Sequence, residues 1–147
     1  MTDFIVDSSV VAKWLLDEPG REKARLLIAP NIFLRAPDLI VSELGNIFWK
    51  KTVRGELTGE KAAERLDTIL RDHIDVTVHL LPGKILARRA SQIALATSRS
   101  VYDNLYLAAA VQADCRLITA DERFVRAIKA PMLRPHIVSL EDVTPLV

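Results

Sequence analysis

Two short apolar runs each lead into a carboxylate: Phe4-Ile5-Val6 into Asp7, and Arg116-Leu117-Ile118-Thr119 into Asp121. Runs of this length bounded by polar residues predict buried parallel strands. After the first, Val11, Trp14 and Leu15 share one face of a helix running from Val10 to Leu16, which Ser8 or Ser9 can cap. Asp7 then stands where a strand hands over to a helix, at the carboxyl end of the sheet. Open α/β sheets hold their ligands in that crevice.

The remaining chain alternates in the same way. Glu22 to Ile28 predicts a short helix with Ala24, Leu27 and Ile28 inward, and Phe33–Ala36 a short strand closed by Pro37. Asp38 is placed to cap a long helix reaching Arg54, with Gly55 as its stop. Glu60 to Arg71 carries Ala63, Leu66, Ile69 and Leu70 on one side, and Asp75 to Leu80 alternates as a strand does. Pro82-Gly83 turns into a helix over Lys84–Ala96, and a second runs from Val101 to Ala113. Asp121 or Glu122 starts a helix with Phe124, Val125 and Ile128 inside, and Ile137–Ser139 is a last strand. No repeat, low-complexity tract or linker interrupts the pattern. Strands alternating with helices predict an α/β fold with a parallel sheet, in a single domain over residues 1–147.

Composition narrows the picture. Half of the residues are hydrophobic and only 5% aromatic, so Leu, Ile, Val and Ala build the core. The net charge of +1 announces no global basic field, although a local patch suffices for nucleic acid. Residues 1–83 carry 11 basic and 13 acidic side chains, and residues 84–147 carry 9 and 6, so the excess of cations lies in the second half. The lone Cys115 excludes a disulfide framework and a Cys-rich metal site, and its neighbours predict a small buried thiol. No signal segment opens the chain and no apolar run has membrane-spanning length, so a cytoplasmic protein is expected.

Four of the 19 acids do not belong on polar faces. Asp7 and Asp121 end the two buried strands. Glu43 has Leu39, Ile40, Asn46 and Ile47 as its neighbours at three and four residues, a mostly apolar helical face. Asp103 heads the Leu/Ala-rich helix. Capping explains Asp7, Asp103 or Asp121 singly, and a buried Arg could pair with Glu43. A common crevice explains all four together. Clustered carboxylates repel and call for a cation. Hard oxygen donors without His or Cys point to Mg2+ or Mn2+ rather than zinc. His73, His79 and His136 are scattered outside the pattern. Such a site suits phosphodiester hydrolysis, for which paired ions ~4 Å apart clamp attacking and leaving oxygens.

The same residues resemble the PIN-domain ribonucleases, in particular the VapC-like toxins of type II toxin–antitoxin pairs. The landmarks are Ile5-Val6-Asp7-Ser8-Ser9, Pro37-Asp38-Leu39 leading to Glu43, Tyr102-Asp103-Asn104-Leu105-Tyr106-Leu107-Ala108, and Leu117-Ile118-Thr119-Ala120-Asp121-Glu122-Arg123-Phe124. The resemblance implies a PIN-like three-layer α/β/α sandwich with a mainly parallel central sheet. It makes Asp7, Glu43, Asp103 and Asp121 an acidic quartet. Asp7 and Asp103 would be direct metal ligands, Glu43 and Asp121 would bind directly or through water, and Ser8 and Thr119 would hold the acids in position. It further implies an RNA substrate, a homodimer and a cognate antitoxin. Asn104 departs from the pattern, in which a small residue such as Ala is commoner.

Arg99, Arg123 and Arg126 are the residues expected to contact RNA phosphates. Phe48 and Trp49, with Val53 and Leu57, either complete the core or form an antitoxin or dimer contact. Two other function classes compete. A phosphatase or phosphate-accepting switch would want a second Asp at position 9 or a Lys at a late strand end, where this chain has Ser9 and Thr119-Ala120-Asp121. A catalytically inactive PIN-like module binding RNA or protein would be expected to have lost an acid. Thr58-Gly59-Glu60-Lys61 lacks the upstream glycine of a phosphate-cradling loop.

Overall fold

The structure is a computed structural model that describes all 147 residues. Five strands, β1 (Thr2–Val6), β2 (Ile32–Pro37), β3 (Val78–Leu81), β4 (Arg116–Thr119) and β5 (Ile137–Ser139), form one sheet in the order β3-β2-β1-β4-β5. Every pairing is parallel. The chain steps outward from β1 through β2 to β3, then returns to lay β4 on the other side of β1. The order therefore reverses between β1 and β4, and a parallel sheet opens its ligand crevice beyond the carboxyl ends of the strands at such a point.

Seven helices link the strands: α1 (Ser8–Val11), α2 (Arg21–Arg25), α3 (Leu39–Val53), α4 (Gly59–Asp72), α5 (Gly83–Ala96), α6 (Val101–Gln112) and α7 (Glu122–Ala127). With the strand order given, the right-handed rule for parallel crossovers assigns α1–α4 to one face of the sheet and α5–α7 to the other. This is the expected three-layer sandwich. Phe4, Ile5 and Val6 are consecutive and all buried, as a central strand covered on both faces requires. On α6, every residue from Asn104 to Ala110 is buried, and the helix packs across β1, β2 and β4.

Several elements differ from their sequence expectation. The first helix is one turn of α-helix followed by a 3-10 turn over Ala12–Trp14, and its cap is Asp7, which accepts from the Ser9 amide at 3.4 Å. Ser8 instead donates to Asp7 at 3.1 Å. Asp38 is already helical and leaves its own helix uncapped; its Oδ1 accepts from Gly83 N at 3.0 Å and serves the start of α5. Helix α2 stops at Arg25 and turns Ile28 outward. On α4, Ala62 and Ile69 are buried, while Ala63 and Leu70 face out. Strand β3 begins only at Val78, because a turn centred on the left-handed Asp75 (φ 63°) occupies the residues before it and exposes Val76. Gly55 ends α3 as expected, its φ of 73° closing the helix in the left-handed conformation. Cys115 is half-buried beside the core.

Candidate active site

Asp7 is tied down on three sides. Thr119 Oγ1 donates to its Oδ2 at 2.6 Å, and Ser8 Oγ and Ser9 N donate to its Oδ1. The same Thr119 oxygen accepts from Asp121 N at 3.1 Å, and Ser9 Oγ accepts from Ala120 N at 3.2 Å. The ends of β1 and β4 are thereby laced together at the switch point of the sheet. Asp121 caps α7 by accepting from Phe124 N at 3.1 Å. Thus Asp121 is a cap and part of the crevice at once. Asp103 is not a cap: Ser100 takes that role, accepting from Asp103 N, and the Asp103 carboxylate instead pairs with Arg99, which also reaches Asp121.

Glu43 sits on the second turn of α3, beside the buried row Ile40, Leu44 and Phe48. Its Oε1 accepts from the Tyr106 hydroxyl at 2.5 Å. Tyr106 is 1% exposed and lies one helical turn beyond Asp103 on α6, so it joins the helix layers of opposite faces across the sheet's open end.

The electrostatics of the acids are coupled. Burial pushes the Asp7 carboxyl up, against the pull of the Thr119, Ser9 and Ser8 hydrogen bonds. Glu43 is pushed up by burial and by the negative charges of Asp7 and Asp103, against the Tyr106 bond. Asp103 is pushed up by burial and by Asp7 and Asp121, although the Arg99 guanidinium opposes the shift. The Tyr106 phenol is raised as well, by burial and by the Asp7 and Glu43 charges, so it stays a donor. Each of the four acids of the expected quartet thus feels, or is felt by, another member. No three His, Cys, Asp or Glu side chains are grouped so as to hold a metal ion between them, however. Arg99 lies among the acids, its Nε 3.1 Å from Asp103 Oδ2 and its Nη2 2.5 Å from Asp121 Oδ2.

Arg123 and Arg126 stand exposed on α7 without an ion pair. Arg126 lines an open cavity of about 480 Å³ with Lys129, Thr97 and Ser98. Phe48 completes the core at 1% exposure, whereas Trp49 is 58% and Val53 66% exposed. The expectation for this stretch therefore divides between the two aromatic residues. Tyr106 is not among the site residues expected from the sequence, although a phenol in a Leu/Ala helix, three residues beyond an aspartate, is a usable signal.

Residues 4–130 match the family model of the PIN domain. The chain belongs to the PIN-domain family. It is 28% identical over 126 residues to Ribonuclease VapC3 of Pyrobaculum aerophilum, a match covering 86% of this chain and 95% of that protein. It superposes with a TM-score of 0.59 and 16% identity on VapBC2 from Rickettsia felis bound to a DNA fragment from their promoter, covering 94% of this chain and 98% of that one. A toxin–antitoxin complex from Klebsiella pneumoniae gives a TM-score of 0.58 at 13% identity, covering 92% and 96%. At these identities the superpositions speak for the fold, and the PIN-like sandwich is shared. No helix of the chain is long and apolar enough to cross a membrane.

Proposed function

We propose that this PIN-domain protein is a divalent-metal-dependent endoribonuclease and the toxin of a toxin–antitoxin pair. The observation that carries the proposal is Thr119 joining Asp7 to the Asp121 backbone at the switch point, with Glu43 and Asp103 electrostatically coupled to them. The similarity to a protein named as a ribonuclease, and to chains solved as toxin–antitoxin assemblies, supports the same class.

The donor set fits Mg2+ or Mn2+: all carboxylate and hydroxyl oxygen, with carboxyls whose mutual repulsion a cation would relieve. Asp7 and Asp103 would hold the ion, with Glu43 and Asp121 binding directly or through water. Bound there, the ion supplies Lewis-acid stabilisation of phosphodiester charge and lowers the pKa of water. The protein's own groups orient and exclude. Thr119 and Ser8 keep the Asp7 oxygens aimed, Tyr106 holds Glu43, and Arg123 and Arg126 offer cations to the phosphates of an RNA strand. Exposed Trp49 and Val53 form the contact surface for an antitoxin or a second copy of the chain.

A second reading, a catalytically inactive binding module, is favoured by one observation: Arg99 already pairs two of the acids. Cleavage of a mixed structured-RNA pool separates the two. Partner-free wild type is expected to cut in Mg2+ or Mn2+ and to stop in EDTA, and Asp103→Asn is expected not to cut. Folded wild type that cuts nothing under any of these conditions supports the binding module.

A further inference from the structure

The loop between α5 and α6 presents Arg99 to the acids in a fixed pose. Its side chain is 21% exposed. The guanidinium reaches Asp103 Oδ2 through both Nε and Nη2, at 3.1 and 3.0 Å, and Asp121 Oδ2 through Nη2 at 2.5 Å. It also lies over the Phe124 ring, 5.1 Å from its centroid. A planar fork packed on an aromatic face with its donors on two carboxylates is a built arrangement.

Asn104 builds it. This side chain is fully buried, and its amide Nδ2 is shared among Ser100 O at 2.9 Å, Arg99 O at 3.3 Å and Thr97 Oγ1 at 3.3 Å. Its Oδ1 is buried without any partner. An orphaned buried amide oxygen is unfavourable, and an alanine would avoid it. The amide nitrogen anchors the loop at three points, and that loop carries Arg99. Both residues thus serve one geometry.

We infer that Arg99, anchored by Asn104, is a resident cation of the acidic site, and that a divalent ion gains Asp103 and Asp121 only by displacing its guanidinium. The inference rests on the metal-dependent reading proposed above. Arginine does not lose its proton in proteins, so the exchange cannot proceed by deprotonation. The incoming ion must win the two carboxylates by its own charge, and its apparent affinity falls by the fraction of molecules in which they are already taken. The same pairing holds the metal-free site together, since one positive charge is shared between two of the four carboxylates.

The test uses Mn2+ alone, titrated into metal-free full-length protein by calorimetry, with thermal unfolding in EDTA measured in parallel. Arg99→Gln is expected to bind Mn2+ roughly tenfold more tightly than wild type, as for coupled sites, and to melt at a lower temperature in EDTA. Asn104→Ala, which frees the loop and keeps the arginine, is expected to tighten Mn2+ binding by a smaller factor. A purely structural ion pair predicts the lower melting temperature with no change in Mn2+ affinity, and that result overturns the inference while leaving the nuclease reading intact. If neither wild type nor folded Arg99→Gln binds Mn2+, both the inference and the metal-dependent reading fail.

Discussion

Thr119 donates its hydroxyl proton to Asp7 Oδ2 at 2.6 Å, joining residues 112 positions apart, and accepts from Asp121 N through the same oxygen. One fully buried side chain thereby aims a carboxylate and fixes the turn that carries another. Thr119→Val keeps the shape but strands the Asp7 oxygen and the Asp121 amide. A stability loss of about 1–3 kcal/mol is expected in urea unfolding, with RNA cleavage reduced well beyond that of other core valine substitutions.

Tyr106 is the corresponding support for Glu43. Tyr106→Phe retains the packing and removes a donor to a half-buried carboxylate. Glu43 then titrates still higher, because burial and the Asp7 and Asp103 charges are opposed only by Ser8. Cleavage is expected to drop about tenfold with KM changed less than kcat. Equal activity of the two proteins would remove Tyr106 from the site.

Asp7→Asn lowers the charge of a crowded acidic group while keeping an oxygen for Thr119. In EDTA its melting temperature is expected to match or exceed that of wild type, since repulsion is relieved. Wild type should gain about 2.7 kcal/mol from an ion at a hundredfold excess over its Kd, and the variant should gain little. A variant far less stable than wild type in EDTA would make Asp7 a structural cap before anything else.

Glu18 provides the pH dependence away from the site. Burial alone would raise its carboxyl, but hydrogen bonds from Lys13 and Lys51 outweigh that and hold it below the usual range. A depressed folded-state pKa contributes stability above the unfolded value and loses it as pH falls through the folded one. Glu18→Gln is therefore expected to cost about 1 kcal/mol at neutral pH, with the gap closing below ~pH 4. A gap that persists in acid would rule out the charge as its source.

Trp49 and Phe48 are neighbours with opposite burial. Phe48→Ala should cost about 3–5 kcal/mol, whereas Trp49→Ala should change stability by less than about 0.5 kcal/mol. If the exposed end of α3 is the partner surface, Trp49→Ala weakens antitoxin binding or shifts the oligomeric state in sedimentation. Full affinity and an unchanged state would exclude it.

The quartet positions were legible because each broke a local rule: Asp7 and Asp121 terminate apolar strands, Glu43 interrupts an apolar helix face, and Asp103 heads an apolar helix. Helix phase was less legible. On α4, Ala62 and Ala63 are interchangeable in composition, and only the tertiary packing of the helix buries Ala62. Asp38 looked like a cap for the helix beginning beside it and caps α5 instead, 45 residues later.

By itself the sequence determined the alternation of strands and helices, the parallel sheet and the four acids, because hydrophobic period and misplaced charge are local properties. Tertiary structure decided which group answers which acid. Tyr106 meets Glu43 across the sheet's open end, Thr119 meets Asp7 across two adjacent strands, and Arg99 closes between Asp103 and Asp121. Hydrogen bonds and ion pairs act over about 3 Å. Which partners come within that range depends on the reversal of strand order between β1 and β4, a property of the assembled sheet that no single stretch of the chain carries.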